Sequence, residues 1–108
     1  MILKIDSTNK EEITVELIDE KSGKSSELVE TQKPGSQVLL PMIVQILKKN
    51  KISFSDLTAV EVNPGPGSFT GTRVGVSIAN ALGFALDIPV NGKKGKIVVP
   101  IYEKSKFD

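Results

Sequence analysis

The chain has no cysteine, no histidine and no tryptophan among its 108 residues. Without cysteine there is no disulfide, no thiolate zinc site and no cysteine nucleophile. Without histidine the commonest general base and metal ligand are gone, and with them every Ser-His-Asp arrangement, so peptidase chemistry finds no support. A charge of one sign is lacking too. Fourteen Lys+Arg against 13 Asp+Glu leave a formal net charge of +1, which gives no footprint for autonomous nucleic-acid binding. No apolar run approaches the ~20 residues of a membrane span. The opening Met-Ile-Leu-Lys-Ile-Asp is too short and too quickly charged for a signal peptide. The expectation is a cytoplasmic protein with no membrane partner.

What is present reads as one α/β domain with a real core. Residues 2–6 alternate apolar and polar and predict a first strand. Ile13, Val15 and Leu17 alternate with Thr14, Glu16 and Ile18 and predict a second. A turn at Gly23 leads to a third strand over 26–31, completing an antiparallel meander. Pro34, Gly35 and Ser36 open a helix over 36–49. Its apolar residues Val38, Leu39, Met42, Ile43 and Ile46 cover one arc, which Leu40, Val44 and Leu47 widen to roughly two-thirds of the circumference. So broad an arc predicts contact on two sides, one with the sheet and one with a partner. A fourth strand follows over 57–62. Residues 87–90 read as a short fifth strand, Asn91 to Gly95 as a hairpin-like turn, and 97–102 as a last edge strand carrying Pro100.

Between the fourth and fifth strands lies the stretch that organises the chain. Pro64 and Pro66 alternate with Gly65 and Gly67 in a turn that cannot be helical. From Phe69 to Leu86 the pattern becomes helical, with Ser68 placed as N-cap. Gly71, Gly75, Ala79 and Gly83 recur every four residues on one side, and Arg73, Ser77, Asn80 and Phe84 fall on another. Interior glycines cost roughly 1 kcal/mol each in helix propensity, which predicts close approach of another backbone along this stripe. The first helix of the same chain and a protein partner are the two candidates. The turn is neither a Walker A loop nor a dinucleotide fingerprint. It is read first as a tight strand-to-helix connection, with Gly67, Ser68, Thr70 and Arg73 as a candidate phosphate site. Asp6, followed by Ser7 and Thr8, is read first as a turn-former. Lys93, Lys94 and Lys96 are read as a solvated hairpin. No residue is assigned as catalytic or as a metal ligand.

The segment Asn63 to Leu86, with Gly65-Pro-Gly-Ser-Phe-Thr-Gly71-Thr-Arg-Val-Gly75, resembles the signature of the TsaB (YeaZ) family of bacterial tRNA threonylcarbamoyladenosine biosynthesis proteins. The resemblance extends through Leu39-Leu-Pro-Met-Ile43 and Ile2-Leu-Lys-Ile-Asp-Ser7. It implies a single actin/Hsp70-like (ribonuclease H-like) lobe: a mixed five-stranded sheet of order 3-2-1-4-5, both main helices on one face, and a short C-terminal strand. It also implies a lobe over 1–92 and a retained C-terminal segment over 96–108, in a shortened form lacking most of the second lobe. A histidine often found just before the Leu-Leu-Pro run is absent here, its place falling near Gly35. By resemblance the protein is not itself an enzyme. It is a scaffold that pairs with a TsaD-like catalytic subunit, reaches a TsaE-like ATPase through the complex, and meets tRNA only indirectly. No cofactor is expected to bind autonomously, and ATP only at a partner interface. The expected interface is Val38, Met42, Ile46, Gly71, Gly75, Ala79 and Gly83, which also serves a homodimer. The alternative is a small phosphate- or nucleotide-binding module.

Overall fold

The computed structural model describes residues 1–31 and 37–101. Three strands open the fold, β1 (Ile2–Asp6), β2 (Glu12–Ile18) and β3 (Ser25–Thr31). They are followed by helix α1 (Leu39–Lys49), strand β4 (Ala59–Val62) and helix α2 (Phe69–Leu86). Pro34, Gly35 and Ser36 lie outside the described residues, and Gln37 and Val38, expected within the first helix, precede its start at Leu39.

The period-two alternation sets the register. β1 pairs antiparallel with β2, placing Leu3 opposite Leu17 and Ile5 opposite Val15. β1 also pairs parallel with β4, placing Leu3 opposite Val60 and Ile5 opposite Val62. One sheet face therefore collects all these side chains, and each is buried. A one-residue slip would turn the whole set to solvent. The crossovers from β3 to β4, and onward from β4, are expected to share one hand and direction, which puts both helices over this face. Leu39, Met42, Ile43, Ile46 and Leu47 of α1 and Val76 and Ala79 of α2 close the core from above. Full burial of an aliphatic side chain such as Ile43 or Ile46 stabilises by about 1.5–3 kcal/mol.

The opposite face is charged rather than covered. Across β3, β2, β1 and β4 run Glu27, Glu16, Lys4 and Glu61 in one cross-strand row.

The sheet has four strands in the order β3-β2-β1-β4, not the five expected. At the fifth position Val90 makes a single parallel bridge to Val60. Pro89 before it has no N–H to donate, and the chain turns back at once through Asn91 (φ 51°) and Gly92 (φ 78°). Lys93 and Val90 then exchange backbone hydrogen bonds of 3.1 and 3.2 Å. The Asn91 side chain takes the place of the missing strand. Its Oδ1 accepts from the Val62 N–H at 2.8 Å, and its Nδ2 donates to the Val62 carbonyl at 3.0 Å.

The expected C-terminal strand is absent among the described residues. Val98 is held instead by the Asn80 amide, through bonds of 2.9 and 3.0 Å, while Ile101 donates to the Pro64 carbonyl. Tyr102 and residues 103–108 lie outside the described residues.

Gly75 of α2 faces β1 and the residue after it, and Gly83 faces the Val90 bridge, rather than α1. A Cβ on Gly75 would collide with Ser7 Oγ and sit 3.3 Å from Ser7 Cβ and 3.6 Å from Ile5 Cγ2. A Cβ on Gly83 would collide with Val90 Cγ2. Helix propensity alone predicts that Gly75→Ala stabilises by about 1 kcal/mol. Packing predicts the reverse, a net loss of about 1–3 kcal/mol from the overfilled contact. Urea unfolding of the two proteins decides the sign, and an unchanged or raised midpoint would remove the packing account.

Candidate functional site

The turn between β4 and α2 is built from side chains that answer its own backbone. Asn63 Oδ1 accepts from the Gly65 N–H at 3.0 Å, and Asn63 Nδ2 donates to Asp6 Oδ2 at 3.1 Å. Gly65 needs its φ of 108°, a conformation closed to most side chains. Gly67 packs onto Thr8, whose Cα lies 2.9 Å from where a Cβ would stand. The Ser68 N–H donates to the Thr8 carbonyl at 2.8 Å. Ser68 occupies the N-cap position without a side-chain capping bond.

The four residues of the candidate phosphate site are therefore split. Gly67 and Ser68 are committed to the β1–β2 turn. Thr70 and Arg73 point outward and line a shallow depression with Gln37, Val74, Ser77 and Ile78. The Arg73 guanidinium lies over the Phe69 ring, 5.2 Å from its centroid.

Asp6 closes β1 as a turn-former. Its Oδ1 accepts from the Thr8 N–H at 3.0 Å and the Thr8 hydroxyl at 2.7 Å. Burial by itself would raise its pKa, but the bonds from the Thr8 hydroxyl, the Thr8 amide and Asn63 outweigh it and hold the carboxyl below the usual 3.8. Among the described residues no group of three or more acidic side chains is placed to hold a metal ion. None of the described helices is long and apolar enough to cross a membrane.

The expected partner interface needs correction residue by residue. Met42, Ile46, Gly71, Gly75, Ala79 and Gly83 are buried inside this chain's own core, and Val38, just before α1, is half-buried. The stripe of small residues and the centre of the α1 arc are what the sheet consumes. The second side of the helix pair is formed by the edges of those arcs. α1 turns Leu40, Pro41, Val44 and Gln45 outward beside Lys48 and Lys49, with Leu40 at 46% exposure. α2 turns Arg73 and Ser77 outward, with Val74 and Ile78 half-buried between them and the core. The sequence signal for these residues is the width of the α1 arc, of which the outer margin, not the centre, is left outside the core. Phe84, at 92% exposure, is the most open large apolar side chain among the described residues.

A family model described as TsaD, tRNA N6-adenosine threonylcarbamoyltransferase, matches residues 29–92. The chain is 40% identical over 57 residues to the tRNA threonylcarbamoyladenosine biosynthesis protein TsaB of Escherichia coli, covering 53% of this chain and 25% of that protein. It is 32% identical over 90 residues to the TsaB of Bacillus subtilis, covering 83% of this chain and 39% of the relative. The solved structure of YeaZ from Pseudomonas aeruginosa superposes with a TM-score of 0.75 at 31% identity, over 82% of this chain and 42% of that one. The chain thus spans well under half the length of these relatives.

The bonds to Asp6 carry a pH dependence with a definite sign. A carboxyl whose folded pKa is depressed adds stability above its unfolded value and loses it as pH falls through the folded value. Asp6→Asn should therefore cost about 1 kcal/mol at neutral pH, a figure already discounted for solvent screening of this part-exposed group. The two proteins should converge in stability as pH falls below about 3.8. Denaturant unfolding from about pH 7 to about pH 2.5 measures the gap, and a gap constant with pH would show that the charge of Asp6 contributes nothing.

Proposed function

Because the chain belongs to the TsaB (YeaZ) family, we propose that it acts in tRNA threonylcarbamoyladenosine biosynthesis as a non-catalytic subunit that docks its helix layer on a TsaD-like catalytic subunit. The observation that carries this reading is the outward face of α1 and α2. Leu40 and Pro41 remain exposed, with Val44 half-buried beside them, on a helix whose other apolar residues are already spent on the core. Centrally placed apolar anchors of this kind contribute most of an interface's energy, while surrounding polar groups exclude water.

The donor set supports the non-catalytic reading. The sequence offers no histidine or cysteine for nucleophilic or general-base work, and Asp6 is bonded to Thr8 and Asn63. In this reading ATP enters only at the partner interface, a TsaE-like ATPase joins through the complex, and tRNA contacts are indirect. The setting is the cytoplasm.

Leu40→Asp should weaken co-elution with the TsaD-family subunit of the same organism by at least about tenfold, since loss of one apolar anchor costs more than about 1 kcal/mol. The far-ultraviolet circular dichroism and melting midpoint of the free chain should change little. Undiminished pairing by the folded variant would refute the helix-layer interface.

A further inference from the structure

Of the seven large apolar side chains left exposed among the described residues, four lie on the end of α2 and on the segment that returns beside it: Phe84, Ile97, Val99 and Ile101. The segment is held in place. The Asn80 amide bonds both backbone groups of Val98. Ile101 donates to the Pro64 carbonyl at 2.5 Å, and its own carbonyl occupies the place of a Cβ on Gly65. Burial alternates along the segment, with Val98 and Pro100 half-buried and Ile97 (79%), Val99 (71%) and Ile101 turned to solvent. Backbone anchors thus hold three aliphatic side chains in water, the reverse of what hydrophobic burial favours.

A cationic rim adjoins them. Phe84 and Ile97 line one depression together with Lys93 and Lys96, which have no ion-pair partner among the described residues. Lys94 Nζ lies 3.4 Å from Asp87 Oδ2, with both side chains largely exposed. Asp87 is the one acid between residues 84 and 101, so the three lysines leave that stretch a net charge of +2. The row of Glu16, Glu27 and Glu61 lies on the uncovered face of the sheet, with the sheet between it and α2. The sheet and a helix about 10 Å across therefore separate the acids from the lysine rim by more than the Debye length of about 8 Å.

We propose that this flank docks on the surface of an anionic phospholipid bilayer, with Phe84, Ile97 and Val99 entering the headgroup layer and Lys93, Lys94 and Lys96 meeting the lipid charges. An exposed apolar patch with a polar rim marks an interaction surface, and the charge of this rim selects an anionic one. Three lysines alone are a weak attraction and so are three apolar side chains; reversible membrane association rests on the two together. Docking on a bilayer surface needs no spanning helix. Single-stranded nucleic acid is the less fitting anion, because it is held by stacking on aromatic rings, and here one phenylalanine stands among aliphatic side chains that have no face to stack. The acids of the sheet face point away from a bilayer met in this way, so the charge distribution orients the chain as well as attracting it.

Flotation of the full chain with phosphatidylcholine vesicles, with and without phosphatidylglycerol, tests this. Binding should be at least about tenfold tighter to the anionic vesicles, and should weaken as salt screens the rim. Phe84→Ser/Ile97→Ser removes only exposed side chains, so its melting midpoint should hold while vesicle binding falls at least about tenfold. Lys93→Gln/Lys96→Gln should cost about tenfold on anionic vesicles and nothing on neutral ones. Leu40→Asp, which disturbs the α1 face, should leave vesicle binding unchanged, so this site and the docking of the helix layer stand or fall separately. No binding to anionic vesicles, or binding that both double variants retain, would overturn the proposal. Tighter binding to a mixed-sequence RNA oligonucleotide than to the vesicles, lost in the same two variants, would overturn the lipid surface in favour of nucleic acid.

Discussion

The position of α2 depends on one contact with β1. The Ser7 hydroxyl, buried just beyond the end of the strand, donates to the Gly71 carbonyl at 2.6 Å. It fits there because Gly75, one turn on, has no Cβ to displace it. A carbonyl inside a helix keeps a second lone pair after serving the helical ladder, and here that lone pair ties helix to sheet. Gly67 against Thr8 and Gly83 against Val90 repeat the close approach on either side. The helix is thereby seated along much of its length, and the seating decides which side chains remain for solvent. Thr72, in the same inner arc, is fully buried with no partner for its hydroxyl among the described residues, a sign of how little room the inner face leaves for polar accommodation.

The elements with strong periodicity were legible before any coordinates. The alternation in β1 and β2, the start of α2 after Ser68 and its end at Leu86 all stand where the pattern puts them, and both helices share a face as the crossover hand demands. What failed were choices that local pattern does not encode. Ile88-Pro-Val90 has strand composition, yet the Asn91-Gly92 turn ends pairing after one residue. An asparagine amide that replaces a strand is indistinguishable in sequence from an asparagine that merely turns. The helical wheel put Gly71, Gly75, Ala79 and Gly83 on one side correctly. It could not say whether α1, a partner or the sheet lies against that side, because the angle between a stripe and its neighbour is a tertiary quantity. Met42 and Ile46 are buried for the same reason, since the centre of a wide apolar arc is where the core takes its share first.

The charge distribution separates the two faces of the layer. On the open sheet face Lys4 lies opposite both Glu16 and Glu61, while Glu16 and Glu27 stand opposite each other. Directly opposed like charges oppose strand pairing by a few tenths of a kcal/mol to about 1 kcal/mol, which the backbone ladder and the buried face below readily offset. The result is a sheet face that water satisfies and a helix face that it does not.

The sheet edges sharpen that contrast. An exposed edge is a template for another strand. Beside β4 the edge is occupied, by the Val90 bridge and by the Asn91 amide bonded to both backbone groups of Val62. The β3 edge carries exposed Glu27 and Glu30 flanking Leu28 and Val29, the kind of charge that discourages edge-to-edge pairing. With one edge plugged and the other guarded by charge, extending the sheet is the less favoured way for another protein to join this one. The helix layer has its backbone groups bonded internally and is where α1 leaves Leu40 and Pro41 exposed.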